Sequence, residues 1–182
     1  MKDAQGREIK YLRISVTDRC NLRCKYCMPN GIECVEHKDI LSFEEIRQIA
    51  VCGARLGITK IRLTGGEPLA RKGCPELIRM LKEIPGIEKI AMTTNGTLVR
   101  AILPELVEAG LDEINISLDT LDARTFAAIT GQDLLPEVLL AIDAALAAGL
   151  KVKVNAVSMP DTDWKRLITL AKDKPVDVRF IE

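Results

Sequence analysis

Three cysteines close together near the start of the chain constrain what it can fold into more than any other feature of its sequence. Cys20, Cys24 and Cys27 have the spacing C-x3-C-x2-C, and they directly follow a strand-like run at residues 11–17. Protein-bound cubane iron–sulfur clusters usually take four cysteine ligands. Three thiolates without a nearby fourth therefore predict a [4Fe–4S] cluster that leaves one iron open to a small molecule.

Two other uses of neighbouring cysteines, a disulfide and a zinc site, compete with this interpretation. A disulfide is disfavoured because we expect no secretory leader at the start of the chain, and six cysteines are few for 182 residues. Zinc sites favour paired C-x2-C elements or cysteine–histidine pairs, and this sequence has a single C-x2-C pair. Cys34 or His37 could complete a zinc site, so this alternative stays open.

The overall charge excludes several classes of partner. The 26 Lys and Arg residues balance 26 Asp and Glu residues, so no global positive field attracts nucleic acid or an anionic membrane. Aromatic residues make up 3% of the chain, which argues against base-stacking surfaces. No apolar run approaches the length of a membrane span. We expect a cytoplasmic protein, with its thiols reduced, that meets any anionic substrate through local cations.

Strand-like and helix-like segments alternate along the sequence. The predicted strands are residues 11–17, 58–63, 87–94, 113–119, 151–157 and 176–181. Helical spacing separates them, and the first helix follows a capping box formed by Ser42 and Glu45. Short loops between alternating strands and helices indicate βαβ units and a parallel sheet. Six such units predict an α/β fold, an open parallel (β/α)6 partial TIM barrel, formed as one domain.

The cysteine loop, with Tyr26 just before the third cysteine, resembles the signature of the radical S-adenosylmethionine (SAM) superfamily. Five blocks resemble the GTP 3′,8-cyclase family: YLRIS at 11–15, CMP at 27–29, ILSFEEI at 40–46, RLTGGEPL at 62–69 and TTNG at 93–96. The resemblance runs from about residue 6 to residue 182. It implies that residues 1–182 are a radical SAM core domain, without the C-terminal part in which the family carries a second cluster.

The resemblance also implies how a cluster and SAM would be held. The residues it assigns are Cys20, Cys24 and Cys27 for the cluster, and Tyr26, Gly66 and Ser117 for SAM. An isolated Gly-Gly pair is more often a tight turn. Beside the cysteine loop, we interpret Gly65 and Gly66 as a turn that lets the amino end of SAM approach the backbone. The carboxylate of Glu67 would then pair with an ammonium group.

Three basic residues on three predicted strands point to an anionic substrate. Strand alternation could turn Arg13, Arg62 and Lys153 toward the barrel interior, where buried cations need anionic partners. A polyphosphate would satisfy them, since arginine offers bidentate contacts and lysine a point charge. The GTP contacts implied by the resemblance are Arg13, Arg62, Thr93 and Lys153. Spacing alone favours Thr93 over Thr94.

The reaction that the resemblance implies is the first step of molybdenum-cofactor biosynthesis. A 5′-deoxyadenosyl radical from SAM would abstract hydrogen from the ribose C3′ of GTP. The carbon radical would then attack guanine C8 and give 3′,8-cyclo-7,8-dihydro-GTP. The implied partners are a reductant such as flavodoxin or ferredoxin and a downstream cyclic pyranopterin monophosphate synthase, with a homodimer left open. Without the second cluster, we expect the chain to bind SAM but to cyclise GTP poorly.

Two other functions stay open at this point. A radical SAM maturase acting on a peptide would share the cysteine loop, but it would not need three phosphate-seeking cations. A zinc-binding or electron-transfer module would share the thiols without the radical chemistry.

Overall fold

Most of the chain is described by a computed structural model, which covers residues 2–27, 35–36, 39–159 and 162–181. The zinc alternatives that involve Cys34 and His37 lie outside the described residues, as does the Met28-Pro29 part of the CMP block. All three cysteines of the spaced triplet fall within the described ranges.

Within the described ranges, strands and helices alternate in the order that the sequence predicts. The strands are β1 (Tyr11–Ser15), β2 (Lys60–Thr64), β3 (Lys89–Thr94), β4 (Glu113–Ser117), β5 (Lys151–Val157) and β6 (Asp177–Ile181). The α-helices are α1 (Phe43–Arg55), α2 (Cys74–Lys82), α3 (Val99–Glu108), α4 (Ala123–Thr130), α5 (Leu135–Ala147) and α6 (Trp164–Asp173). A 3₁₀ turn at Pro68–Ala70 follows β2.

The strands run parallel in one open sheet, in the order β1-β2-β3-β4-β5-β6. Each strand pairs with its neighbours in sequence, as expected for consecutive βαβ units. The predicted α/β fold, an open (β/α)6 partial barrel, is therefore confirmed. Because the strands are parallel, their carboxyl ends meet at one edge of the sheet, which is where α/β barrels carry their chemistry.

The two faces of the sheet differ in polarity. One face lies under the helices, and in the described strands its side chains are apolar except for Thr94. The other face, here called the inner face, carries Arg13 and Arg62, which are in register, and continues through Ala91 to Glu113. Parallel strands buried on both faces normally read as continuous apolar runs. A polar inner face indicates that this side of the sheet does more than pack.

Side-chain caps fix the points where three helices begin. The Ser42 hydroxyl accepts a hydrogen bond from the Glu45 N–H at 3.2 Å, and the Ser42 N–H donates to the Glu45 carboxylate at 2.7 Å. The predicted capping box at the start of α1 is therefore confirmed. Asp122 and Asp163 cap α4 and α6 through one hydrogen bond each.

In the part of the chain that the structure describes, no single helix is long and apolar enough to span a membrane. Helices α4 and α5 taken together are long and apolar enough to span a membrane, but the chain bends by 100° between them.

Candidate active site at the carboxyl edge of the sheet

The cysteine loop, residues 20–27, lies beyond the carboxyl end of β1 and is held against the end of α4. The backbone N–H of Arg23 donates to the carbonyl of Thr130 at 2.9 Å. The N–H of Lys25 donates to the carbonyl of Ile129 at 3.0 Å. The last carbonyls of a helix have no partners within the helix, so the loop satisfies two of them. These contacts give the loop a fixed position although it has no regular secondary structure.

The three cysteines of the loop are free thiols that differ in exposure. Cys20 and Cys24 are half-buried and Cys27 is exposed. Burial raises the pKa of the Cys24 thiol to about 11, with smaller contributions from the charges of Asp119 and of the other two thiols. Among the described residues, no three Cys, His, Asp or Glu side chains are already arranged to hold a metal ion. The donor set nevertheless fits an iron–sulfur cluster, because three soft thiol ligands lie on one anchored loop.

Tyr26 is tied to the opposite half of the sheet through Asp119. The Tyr26 hydroxyl donates a hydrogen bond to Asp119 Oδ2 at 2.6 Å, and the Val157 N–H donates to Asp119 Oδ1 at 2.8 Å. Burial and the hydrogen bond to this carboxylate raise the pKa of Tyr26 strongly. Sequence reasoning missed Asp119. Its position two residues after Ser117, at the end of a strand, was the available signal.

The glycine turn packs directly on the backbone that leads into the cysteine loop. The N–H of Gly66 donates to the carbonyl of Thr17 at 2.8 Å. A Cβ on Gly66 would lie 2.4 Å from the carbonyl oxygen of Arg19, and one on Gly65 would lie 2.3 Å from that of Thr17. Only glycine fits at these two positions, because the backbone of residues 17–19 occupies the space that a side chain would need. Whether they also admit a ligand, as the sequence led us to expect, stays a prediction.

The carboxylate of Glu67 is enclosed by the protein. Its side chain has no exposed surface. Oε1 accepts hydrogen bonds from the Thr94 hydroxyl at 2.8 Å and the Leu69 N–H at 3.0 Å, and Oε2 accepts one from the Asn95 N–H at 2.7 Å. Burial raises the pKa of Glu67, while these hydrogen bonds act to lower it. This enclosed carboxylate joins the glycine turn to the end of β3, and its expected pairing with a ligand ammonium stays a prediction.

A cavity of about 420 Å³ lies beside the cysteine loop, at the carboxyl ends of β4 and β5. Asp119, Met159 and Arg166 line it, together with residues of α4. Ser117 lies two residues before Asp119, at the end of β4, where it is half-buried and in register with Asn155. The volume falls within the range of pockets that bury a drug-sized ligand.

The inner face brings Arg62 and Thr93 together. Arg62 is 5% exposed, and its guanidinium donates to the Thr93 hydroxyl at 3.3 Å and to the Met92 carbonyl at 3.4 Å. It also lies 5.9 Å from the centre of the Tyr11 ring. Thr94 points to the other side, toward Glu67. The geometry therefore favours Thr93 over Thr94 as the threonine of the inner face.

Glu113 is a buried carboxylate that sequence reasoning missed. It accepts a hydrogen bond from Lys60 Nζ at 2.6 Å, and charged nitrogens of Arg62 and Lys89 lie 3.9 Å from its oxygens. Burial acts to raise the pKa of Glu113, but the hydrogen bond and charge of Lys60, together with the charges of Lys153 and Lys89, outweigh it, so the pKa is lowered. The single carboxylate of Glu113 therefore lies close to three basic side chains of the sheet.

Positive charge dominates the inner face. Among the described strands, its basic residues are Arg13, Lys60, Arg62, Lys89, Lys151, Lys153 and Arg179. Its acidic residues are Glu113 and Asp177. Lys153 is nearly buried and lies 3.7 Å from the exposed Asp177. Burial lowers the pKa of Lys153, and the charge of Arg179 lowers it further. The face therefore holds more cations than its own carboxylates neutralise.

The sequence matches a family model over most of its length. Residues 14–173 match the model described as the Radical SAM superfamily. This range begins in β1 and ends with α6, so it includes the cysteine loop, the glycine turn and the inner-face residues of β2 to β5, but not Arg13 or the residues of β6.

Three curated proteins named GTP 3′,8-cyclase are about half identical to the chain. The identity is 48% over 187 residues for the protein of Alkaliphilus oremlandii and 49% over 187 residues for that of Moorella thermoacetica. It is 50% over 188 residues for the protein of Thermodesulfovibrio yellowstonii. Each alignment covers 100% of this chain and 58% of the relative. The chain thus spans less than two thirds of the length of these relatives.

Solved structures share the fold at lower identity. Streptococcus suis SuiB bound to S-adenosylmethionine has a TM-score of 0.79 and 20% identity, over 95% of this chain and 41% of SuiB. Methylornithine synthase (PylB) has a TM-score of 0.70 and 20% identity, over 94% of this chain and 54% of PylB. Similarity at this level establishes the fold.

Replacing Gly66 with alanine should destabilise the protein. The new Cβ would overlap the Arg19 carbonyl, and overpacking of this kind costs about 1–3 kcal/mol. Gly53 lies inside α1, and a Cβ there meets its nearest atom at 3.5 Å. We expect Gly53→Ala to be neutral or to stabilise by up to about 1 kcal/mol. Urea unfolding followed by circular dichroism measures both, and equal stabilities for the two variants would contradict the packing described for the glycine turn.

Replacing Glu113 with glutamine should change how stability depends on pH. Because the pKa of Glu113 is lowered from 4.5 on folding, its carboxylate stabilises the protein above pH 4.5 and loses this effect as pH falls through the lower, folded-state value. We expect Glu113→Gln to cost about 1–3 kcal/mol at pH 7, since it leaves the buried guanidinium of Arg62 and the partly buried ammonium of Lys60 without their charged partner. The difference in the free energy of unfolding between Glu113→Gln and wild type should therefore shrink as pH falls from 4.5 through the folded-state pKa of Glu113.

Glu137→Gln is the matched control, because Glu137 forms an exposed ion pair with Arg100. Such surface pairs contribute about 0–1 kcal/mol. A Glu113→Gln variant with the pH profile of this control would show that Glu113 does not hold the cations of the inner face.

Proposed function

The chain belongs to the radical SAM superfamily, and on that premise we propose that it forms the SAM-cleaving core of a GTP 3′,8-cyclase. In this proposal residues 1–182 act as one radical SAM core domain. The identity of 48–50% to proteins of that name supports the choice of reaction. Because the chain spans 58% of their length, the activity of a whole cyclase is part of the proposal.

The cysteine loop is the place that we assign to the cluster. In the proposal Cys20, Cys24 and Cys27 hold a [4Fe–4S] cluster, and Tyr26, Gly65, Gly66 and Ser117 contact SAM. When bound, the cluster supplies the single electron that splits SAM into methionine and a 5′-deoxyadenosyl radical. The bonds from the loop to α4 and from Tyr26 to Asp119 keep the thiols in place. We assign the nucleoside part of SAM to the cavity beside Asp119.

The excess of cations on the inner face is the observation that carries the choice of substrate. In the proposal Arg13, Arg62, Thr93 and Lys153 contact GTP. Arg62 is already oriented by its bonds to Thr93 and Met92, so little side-chain entropy remains to be lost on binding phosphate. Among the described residues, Arg13 forms no ion pair, so it is available to a ligand.

A buried oxygen on the same face also fits a nucleotide. Asn115 is 5% exposed, and its Oδ1 has no hydrogen-bond partner in the described structure. It stands in register between Thr93 and Lys153. Buried polar atoms are normally paired, so a ligand that brings a hydrogen-bond donor here would satisfy it. GTP offers phosphate oxygens to the cations and hydroxyl or amine donors to Asn115.

The proposed reaction transfers a hydrogen atom from the ribose C3′ of GTP to the 5′-deoxyadenosyl radical and joins C3′ to guanine C8. One electron from a reductant and one proton then complete the 7,8-dihydro ring. The product is 3′,8-cyclo-7,8-dihydro-GTP, in the first step of molybdenum-cofactor biosynthesis. Abstraction of a hydrogen atom needs little acid–base help, so positioning supplies most of the catalysis. Arg62 and Lys153, which are both buried, position the triphosphate.

The proposal also includes partners. A flavodoxin or ferredoxin supplies the electron, and a cyclic pyranopterin monophosphate synthase consumes the product. We place the protein in the cytoplasm, where thiols stay reduced. The proposal leaves a homodimer as an assembly to be tested.

Anaerobic reconstitution with iron and sulfide tests the cluster. We expect wild type to take up about four iron atoms per chain, and to release 5′-deoxyadenosine from SAM after reduction with dithionite. Cys27→Ser should lose both properties. Cys52→Ser is the matched control, because Cys52 is an exposed thiol on α1, outside the loop. Zinc in place of iron in the purified protein, or iron uptake by Cys27→Ser equal to wild type, would contradict the assignment.

Calorimetric titration with GTP and with guanosine tests the substrate. Removing a charged hydrogen-bond donor costs about 1.5–3 kcal/mol, so Lys153→Met should weaken GTP binding by about 10- to 100-fold. Guanosine has no phosphate, so its binding should change much less. Lys172→Met, on the exposed side of α6, should bind both ligands like wild type. Equal GTP affinities for the two lysine variants would refute triphosphate recognition by the inner face.

A further inference from the structure

Asn95 reaches from the end of β3 to the first cysteine of the loop. Its side-chain nitrogen Nδ2 lies 2.8 Å from Asn21 Oδ1 and 3.8 Å from the sulfur of Cys20. Its backbone N–H is held by the buried carboxylate of Glu67 at 2.7 Å. Asn95 therefore has a fixed backbone and a side chain that ends beside Cys20.

Hydrogen bonds determine which way the Asn95 amide is turned. The backbone N–H of Thr97 lies 3.0 Å from Asn95 Oδ1, and an N–H can only donate. The atom facing Thr97 must therefore be the oxygen of the amide, and the NH2 group must face Asn21 and Cys20. This removes the usual ambiguity between the nitrogen and oxygen of an asparagine.

A ring of three side chains reinforces this orientation. The Thr97 hydroxyl donates to Asn95 Oδ1 at 2.7 Å, and Asn21 Nδ2 donates to the Thr97 hydroxyl oxygen at 2.8 Å. Asn95 Nδ2 closes the ring on Asn21 Oδ1. One proton of the Asn95 NH2 group is used within the ring, so the other remains for the sulfur of Cys20.

We propose that Asn95 is a positioning residue for Cys20, donating an N–H···S hydrogen bond that orients the thiolate and tunes the reduction potential of the cluster it ligates. The inference rests on the proposed cluster, and it gives a role to Asn95, to which the proposed cyclase function assigns none. The backbone N–H of Leu22 lies 3.4 Å from the same sulfur. Cys20 thus receives two N–H donors, one from its own loop and one from β3.

Hydrogen bonds to a ligand sulfur affect the cluster in a known direction. They withdraw electron density from the thiolate and stabilise the more negative, reduced state, which raises the reduction potential. The two N–H donors at Cys20 therefore favour the reduced state of the cluster.

The test is a redox titration of reconstituted protein, monitored by electron paramagnetic resonance. Asn95→Ala removes the N–H···S donor, so its midpoint potential should shift to a more negative value while its iron content stays at the wild-type level. Thr97→Val is the matched control. It opens the ring of side chains but keeps the Thr97 backbone N–H that orients Asn95, so its potential should stay near that of wild type.

A fully loaded Asn95→Ala protein with the potential of Thr97→Val would overturn the inference alone. Wild type that takes up no iron would refute the proposed cluster, and the inference with it. If Asn95→Ala takes up no iron, wild type with ¹⁵N-labelled asparagine side chains decides the question by pulsed electron paramagnetic resonance. A ¹⁵N coupling to the reduced cluster supports the hydrogen bond, and its absence refutes it.

Discussion

The position of the cysteine loop depends on one close contact between backbones. Beyond the ends of β1 and β2, the N–H groups of Gly66 and Glu67 donate to the carbonyls of Thr17 and Arg19, both at 2.8 Å. These bonds continue the pairing of the two strands past the sheet itself. The contact leaves no room for a Cβ at Gly65 or Gly66. This contact therefore fixes the position of the three cysteines at the carboxyl edge of the sheet, although the loop that carries them has no regular secondary structure.

The same contact explains why a carboxylate is buried at Glu67. Burying a charge costs free energy unless hydrogen bonds replace the lost water, and three donors from residues 69, 94 and 95 do so here. Glu67 thus links the glycine turn to the end of β3. At the other end of the cysteine loop, Asp119 links Tyr26 to β5 through Val157. Two carboxylates on opposite sides therefore connect the loop to the sheet, and neither needs a ligand to be satisfied.

Sequence reasoning could predict the features that depend on local pattern. The alternation of strands and helices gives the (β/α)6 sheet, and strand periodicity places Arg62 and Lys153 on one face. It could not predict Glu113, which contacts Lys60 across 53 residues of sequence. It also could not predict the partners of the Glu67 carboxylate, which come from the 3₁₀ turn at Pro68–Ala70 and from Thr94 and Asn95 at the end of β3. Local pattern says which face a side chain occupies, and only the three-dimensional register says which groups meet there.

The balance of charge on the inner face argues for a polyanion more strongly than any single residue does. A lone buried arginine is usually satisfied by one structural carboxylate, and Glu113 could play that part for Arg62. Glu113, however, is shared with Lys60 and Lys89 and makes its shortest contact with Lys60. Lys153 has a lowered pKa, so its surroundings disfavour its charged form. A bound triphosphate would place negative charge beside Lys153 and so favour its charged form, which the carboxylates of this face do not do sufficiently.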